Sequence, residues 1–166
     1  SGERIILPYL RATGVSRLDA LVVTHNDIDH SGGAASILQT LEVDRFLSSL
    51  PAASPLLALA PAQRCAAGQA WEWDGVRFEM LHPAADAQER RTNNLSCVLK
   101  VTARGSAMLL TGDIEREAEA ALLERDAGAL RADVLLVPHH GSRTSSSAAF
   151  IAAVAPRAAV VPAGYR

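Results

Sequence analysis

The run Leu18-Asp19-Ala20-Leu21-Val22-Val23-Thr24 passes directly into His25-Asn26-Asp27-Ile28-Asp29-His30-Ser31-Gly32-Gly33, and this stretch constrains the chain most strongly. Its apolar part, β-branched at Val22, Val23 and Thr24, reads as a buried strand. Four side chains of metal-ligating type, His25, Asp27, Asp29 and His30, then fall within six residues, followed by two glycines and a helix-like stretch over 34–41. Strand, polar loop, Gly-Gly and helix put these side chains at the C-terminal mouth of a strand, where α/β folds build their sites. Alternate residues of an extended loop face opposite sides, so the spacing offers one imidazole and one carboxylate to each of two ions. A solvated polar turn is the plain alternative. Four ligand-type residues wedged between a buried strand and Gly-Gly argue against it.

The same grammar recurs downstream. Residues 3–13 carry apolar positions at helical spacing and Gly14 stops them. Residues 43–48 read as a strand that completes a βαβ unit, and 56–60 as a short apolar strand candidate in a Pro/Ala/Ser-rich stretch. Period-two alternation around Asp74-Gly75 predicts a hairpin over 71–80, and Arg104-Gly105-Ser106 predicts a second between 95–101 and 107–111. The second hairpin ends in Thr111-Gly112-Asp113. A helix is expected over 115–125, with acids in its first turn. A buried strand over 133–138 ends in His139-His140-Gly141-Ser142, a helix follows over 144–154 with serines at its entry, and 158–161 is a last strand. Three apolar strands thus end in metal-competent groups, and aligned strands in a sheet bring such ends together. Nothing marks a domain boundary, so 1–166 reads as one domain.

Composition narrows the class. The chain has 166 residues, 49% of them hydrophobic but only 4% aromatic, which suits helices packed on sheets. A formal net charge of −2 makes the chain no general polyanion binder, so any DNA contact is local or weak in isolation. No apolar run reaches membrane-spanning length and no signal peptide is visible. The chain opens without Met, which reads as a fragment of a longer protein. Cys65 and Cys97 fit no zinc knuckle; they form either one disulfide or two buried thiols.

His25, Asp27, Asp29, His30, Asp113 and one of His139 or His140, with His140 favoured, make a ligand set sufficient for two divalent ions. Two such ions clamp the attacking and leaving oxygens of an in-line displacement, so no nucleophilic side chain is required. The oxygen-rich mixture favours Mn²⁺, with Zn²⁺ as the alternative. Asp113 bridges the ions in this reading, or else caps the helix after it. The adjacent imidazoles of His139 and His140 are expected to be buried. His139, Ser142 and Asn94 are candidates for positioning a phosphate, and Asp29 for a catalytic role beside its ligation. His82 before Pro83 finishes a hairpin. Arg90, Arg91 and Arg143 read as solvated surface, with Arg143 the nearest phosphate candidate.

The segments Thr24 to Gly33, Asn93-Asn94-Leu95-Ser96-Cys97-Val98-Leu99, Leu110-Thr111-Gly112-Asp113 and Val137-Pro138-His139-His140-Gly141-Ser142 together resemble the metallo-β-lactamase fold. Thr24 to Gly33 is similar to its His-x-His-x-Asp-His signature, with Asp27 in place of the middle histidine. That substitution and the other motifs, with Leu7-Pro8-Tyr9-Leu10 and Ala163-Gly164-Tyr165-Arg166, resemble the C-terminal domain of ComEC-type competence DNA-uptake channels. The resemblance implies an α/β fold, an αββα sandwich of two mixed sheets with outer helices, lacking here the family's opening strands. It implies a metal-dependent hydrolase, for this branch a nuclease that degrades one strand of incoming DNA. Its parent would be a polytopic protein of the bacterial inner membrane, with this domain on the periplasmic side beside the transmembrane channel portion of the same polypeptide. A small-molecule substrate is not expected. The usual additional site-one histidine is not evident, so His25, Asp27 and shared Asp113 would hold the first ion, and Asp29, His30, Asp113 and His140 the second. Two rival readings are another hydrolase of this fold, of phosphocholine esterase or thioesterase type, and a catalytically silent module that binds DNA or a partner.

Overall fold

A computed structural model describes residues 2–87 and 91–162. Its contacts divide the chain into two compact units, Ser1–Arg64 and Cys65–Arg166.

The first unit opens with a π-helical turn, Gly2–Ile6, that runs into helix α1 (Leu7–Ala12), with Pro8 in the first turn of α1. A Cβ on Gly2 would collide with the carbonyl of Gly33, so this N-terminal segment packs backbone to backbone on the turn after the ligand-type residues. The expected first strand is divided. Strand β1 (Arg17–Leu18) pairs in parallel with β3 (Glu42–Val43), fastened by the Arg17–Asp44 ion pair, whereas β2 (Leu21–Val23) pairs in parallel with β4 (Phe46–Ser48). Strand β5 (Gln63–Arg64) completes the order β2-β4-β5. Between β2 and β3 stand helices α2 (Ile28–Ser31) and α3 (Ala34–Thr40). The core joins Val23, Ala34, Phe46, Leu50 and Leu56. The apolar piece at 56–60, expected as a strand, instead falls in a 3-10 turn, Pro55–Ala58, because Pro55 pre-sets the turn's φ and Leu56 is its buried residue.

The second unit is built on a six-stranded mixed sheet ordered β11-β10-β9-β8-β7-β6. Strands β6 (Ala70–Trp73) and β7 (Val76–His82) form the first hairpin, turning through Asp74 and Gly75 at φ 49° and 76°. These are the positive angles a two-residue loop requires, and Asp-Gly supplies them with little strain. The Trp71 and Phe78 rings stack across the pair with centroids 5.3 Å apart. The second hairpin, β8 (Val98–Ala103) with β9 (Ser106–Leu110), turns in the same way through Arg104 and Gly105. Helix α4 (Arg116–Asp126) then returns the chain to β10 (Val134–Leu136), which lies parallel to β9, and α5 (Ala148–Val154) leads to β11 (Ala158–Val160), parallel to β10. The expected helix over 144–154 is shorter at its start, because Ser147 is the residue whose hydroxyl caps Phe150 N–H. Leu109, Ile114, Leu122, Leu130, Leu135 and Phe150 form the core. Of the two alternatives for the cysteines the structure takes the disulfide: Cys65 and Cys97 are joined, both buried.

Two buried polar groups organise this unit. Glu119, wholly buried on α4, accepts from the backbone N–H groups of Ser146 (2.5 Å) and Ser147 (2.8 Å) and so pins the entry to α5. His82 ends β7 as expected, and its buried ring donates from Nε2 to the Asn94 carbonyl at 2.8 Å. Burial first, and the nearby Arg125 charge second, push the His82 pKa below its ordinary value of 6.5, against the raising effect of that hydrogen bond.

Replacing Glu119 with Ala removes the buried acceptor of two half-buried donors, so Glu119→Ala is expected to lower unfolding free energy by about 2 kcal/mol, read by urea denaturation; a loss below about 0.5 kcal/mol contradicts the assignment. For His82 the unfolded chain binds the proton more readily than the folded one. Stability therefore falls as pH drops below about 6.5, the unfolded value, and the loss is complete only below the lowered folded pKa. Urea midpoints measured from pH 7.5 to 5 should fall less steeply in His82→Gln than in the parent chain; parallel slopes refute this.

Candidate metal centre

In the first unit, Thr24 follows β2 and its hydroxyl stands 3.0 Å from His25 Nδ1 and 3.4 Å from His30 Nδ1. With Nδ1 of each ring turned to the same hydroxyl, both Nε2 atoms face carboxylates: His25 Nε2 lies 3.7 Å from Asp27 Oδ2, and His30 Nε2 lies 3.7 Å from Asp29 Oδ2. The two rings pack with centroids 4.3 Å apart. Asp27 occupies the N-cap position of α2, yet its side chain makes no capping bond; its carbonyl instead takes the N–H groups of His30 and Ser31. The carboxylate is left to face His25. His25 is buried, His30 half-buried, and Asp27 and Asp29 are exposed.

In the second unit, Asp113 follows β9 and is buried, its N–H donated to Ser96 Oγ at 3.1 Å. His140 follows β10. Its Nδ1 donates to the Pro162 carbonyl at 2.7 Å, which leaves Nε2 as the acceptor, 3.4 Å from Asp113 Oδ2. The alternative that Asp113 caps α4 is not taken; the N-cap is Glu115. Of the adjacent histidines, expected to be buried, His139 is half-buried and His140 exposed, because both adopt left-handed backbone angles in the turn after β10 and swing outward.

These pairs fit a divalent ion. Two donors bound to one ion at about 2.0–2.2 Å lie about 3.0–3.5 Å apart. Separations of 3.4 to 3.7 Å are close to that spacing. Each imidazole also has its other nitrogen oriented by an oxygen, as ligating histidines do. The donor set of imidazole nitrogen and carboxylate oxygen suits Mn²⁺ or Zn²⁺.

Other candidates are placed differently. Asn94 is buried, its Oδ1 accepting from Glu115 N–H (2.9 Å) and its Nδ2 donating to Glu117 (3.3 Å), so its amide holds a loop rather than facing a substrate. The backbone N–H of Glu117 itself, and after it the Asn94 amide, keep the Glu117 carboxyl below the usual carboxylate range. Ser142 Oγ lies 3.1 Å from Thr144 Oγ1, which in turn lies 2.9 Å from His139 Nδ1. Arg91 is exposed, as expected, and also donates to Glu115 at 2.8 Å, a bond that holds its guanidinium more firmly protonated. Arg143 is exposed. Arg90 and the segment 163–166 lie outside the described residues. Glu115, Thr24 and Ser96 were not singled out in the sequence, although Asp113-Ile114-Glu115 repeats the acid-x-acid spacing of Asp27-Ile28-Asp29.

Comparison with known proteins places this arrangement. The model of the metallo-beta-lactamase superfamily matches residues 1–165. The chain is 42% identical over 160 residues to "Competence protein ComA" of Neisseria gonorrhoeae, covering 96% of this chain and 22% of that protein. It is 34% identical over 173 residues to "ComE operon protein 3" of Bacillus subtilis, covering 98% of this chain and 22% of that one. The chain thus spans about a fifth of the length of these curated relatives. Among solved structures, CmlA, a diiron beta-hydroxylase from Streptomyces venezuelae, shares the fold with a TM-score of 0.56 at 14% identity, over 87% of this chain and 35% of that one. As the sequence motifs anticipated, this α/β chain belongs to the metallo-beta-lactamase superfamily.

Proposed function

We propose that the chain is a metal-dependent phosphodiester hydrolase that acts on DNA, a nuclease that degrades one strand of DNA entering the cell. The observation that carries this reading is a carboxylate-rich donor set in a chain similar almost end to end to competence proteins. A related fold also serves a diiron beta-hydroxylase, so the fold does not choose the reaction; the donor set and the likeness to the relatives are what support this one. In this reading Asp29, His30, Asp113 and His140 hold one divalent ion, and His25, Asp27 and Asp113 hold a second, more weakly. When bound, the ions would supply Lewis-acid activation of a phosphoryl oxygen and neutralise charge that develops on it. Mn²⁺ is the favoured occupant. Ser142, linked through Thr144 to His139 beside His140, carries the hydroxyl that can position a phosphate oxygen. The chain's net charge of −2 fits weak DNA contact in isolation. In the whole protein, DNA would be delivered by a transmembrane channel portion of the same polypeptide, with this region on the periplasmic face of the inner membrane. No helix among the described residues is long and apolar enough to cross a membrane.

The test combines thermal unfolding with cleavage of end-labelled single- and double-stranded DNA, on this chain and on the full-length protein, with Mn²⁺, Mg²⁺ or Zn²⁺. Mn²⁺ at a hundredfold excess over its Kd is expected to stabilise by about 2.7 kcal/mol. Asp29→Ala should abolish most of that shift and lower cleavage at least a hundredfold. Metal-dependent hydrolysis of phosphocholine esters or thioesters with intact DNA overturns the nuclease assignment. Absence of any metal-dependent shift overturns the metal site itself and leaves a binding module.

A further inference from the structure

Glu115 belongs to neither ion in the proposed function, yet it is 6% exposed and held on three sides. Its backbone N–H is donated to Asn94 Oδ1 at 2.9 Å, its Oε2 accepts from Arg91 at 2.8 Å, and its Oε1 faces His139 Nδ1 at 3.6 Å. His139 is fixed as firmly. Its backbone stands at φ 49°, ψ 46°, with its N–H on the Gly112 carbonyl at 3.2 Å, and its Nδ1 lies 2.9 Å from Thr144 Oγ1.

A neutral imidazole carries its proton on one nitrogen and a lone pair on the other, and what faces each nitrogen decides which. Nδ1 of His139 faces two oxygens. The Thr144 hydroxyl can donate or accept, but the Glu115 carboxylate can only accept, and its negative charge favours an N–H dipole pointed at it. Thr144 can then direct its own hydrogen to Ser142 Oγ, 3.1 Å away. Nε2 stands beside Asn93, at 3.5 Å from its side-chain amide. Asn93 lines a cavity of about 320 Å³ with Arg91, Thr92 and Glu115.

We infer that Glu115 is a positioning residue that sets the tautomer of His139, holding the proton on Nδ1 and presenting the Nε2 lone pair as a hydrogen-bond acceptor beside this cavity. The Asn93 amide meets that lone pair at 3.5 Å, and a hydroxyl or water that brings its own hydrogen would take its place there. Arg91 anchors the carboxylate so that it cannot rotate away from the ring. The inference rests on the proposed hydrolase reading only for its kinetic consequence; the tautomer is a property of the chain itself.

The experiment reads side-chain nitrogens of ¹⁵N-histidine-labelled protein by two-bond ¹H–¹⁵N correlation at pH 8, with and without Mg²⁺, with His139 assigned from His139→Gln. The parent chain is expected to show His139 as the Nδ1–H form. Glu115→Gln keeps the shape and removes the charge, and should give a mixture of the two tautomers; Thr144→Val, with Glu115 intact, should keep Nδ1–H. If the chain cleaves DNA, Glu115→Gln should lower kcat about tenfold with KM and metal affinity within twofold of the parent. A proton on Nε2 in the parent overturns the inference without any variant, as does an unchanged tautomer in folded Glu115→Gln. Correct tautomers in a chain that cleaves no DNA leave this inference standing and count against the hydrolase reading alone.

Discussion

Parallel strand pairing is the constraint from which the rest of the site follows. Strands β9 and β10 pair in parallel through Met108↔Val134 and Leu109↔Leu135, so whatever follows each strand emerges at the same end of the sheet. The Thr111 hydroxyl, donating to the Leu136 carbonyl at 2.7 Å, extends that alignment beyond the ladder. Asp113 and His140 are the residues delivered there, and they meet at 3.4 Å. In the first unit β2 is likewise parallel to β4, and the His25-to-His30 loop leaves its carboxyl end. A mixed sheet gathers its chemistry at strand ends because the connecting helices must return along its faces, leaving the loops free to carry ligands.

Within each unit, orientation of the imidazoles readies these strand-end groups as donors. The Thr24 hydroxyl serves two rings, and the Pro162 carbonyl serves a third; in each case Nε2 is the atom left toward a carboxylate. A histidine free to rotate would lose entropy on binding an ion, whereas a ring already oriented by its other nitrogen loses less. At His139, by contrast, Thr144 and Glu115 both face Nδ1.

The second unit carries a set of buried polar side chains that bond backbone groups distant in the chain. Ser96 holds Asp113 N–H, Asn94 holds Glu115 N–H, His82 holds the Asn94 carbonyl, and Glu119 holds two N–H groups at the start of α5. Buried donors and acceptors tolerate no vacancy, so each such pair fixes a loop that hydrophobic packing alone would leave to slide. The disulfide between Cys65 and Cys97 closes the same region covalently, one residue beyond Ser96.

Much of this was legible in the chain itself. Both Asp-Gly and Arg-Gly hairpins, the helix over 116–126, the strand before His139 and the ligand-type residues after β2, β9 and β10 are local patterns, and local patterns survive folding when they agree with the core. Pro55 turned an apolar piece into a 3-10 turn because a fixed φ outweighs weak strand propensity. The sequence by itself determined which residues stand at strand ends and what donors they carry, since periodicity and glycine placement dictate both. Only the tertiary structure decided that Cys65 joins Cys97, that Asn94 faces inward while Arg91 is bound, that His139 and His140 swing outward, and that Glu115 sits against His139. Those facts depend on contacts between residues distant in the chain, and spacing along a chain carries no record of which side of a loop its neighbours will meet.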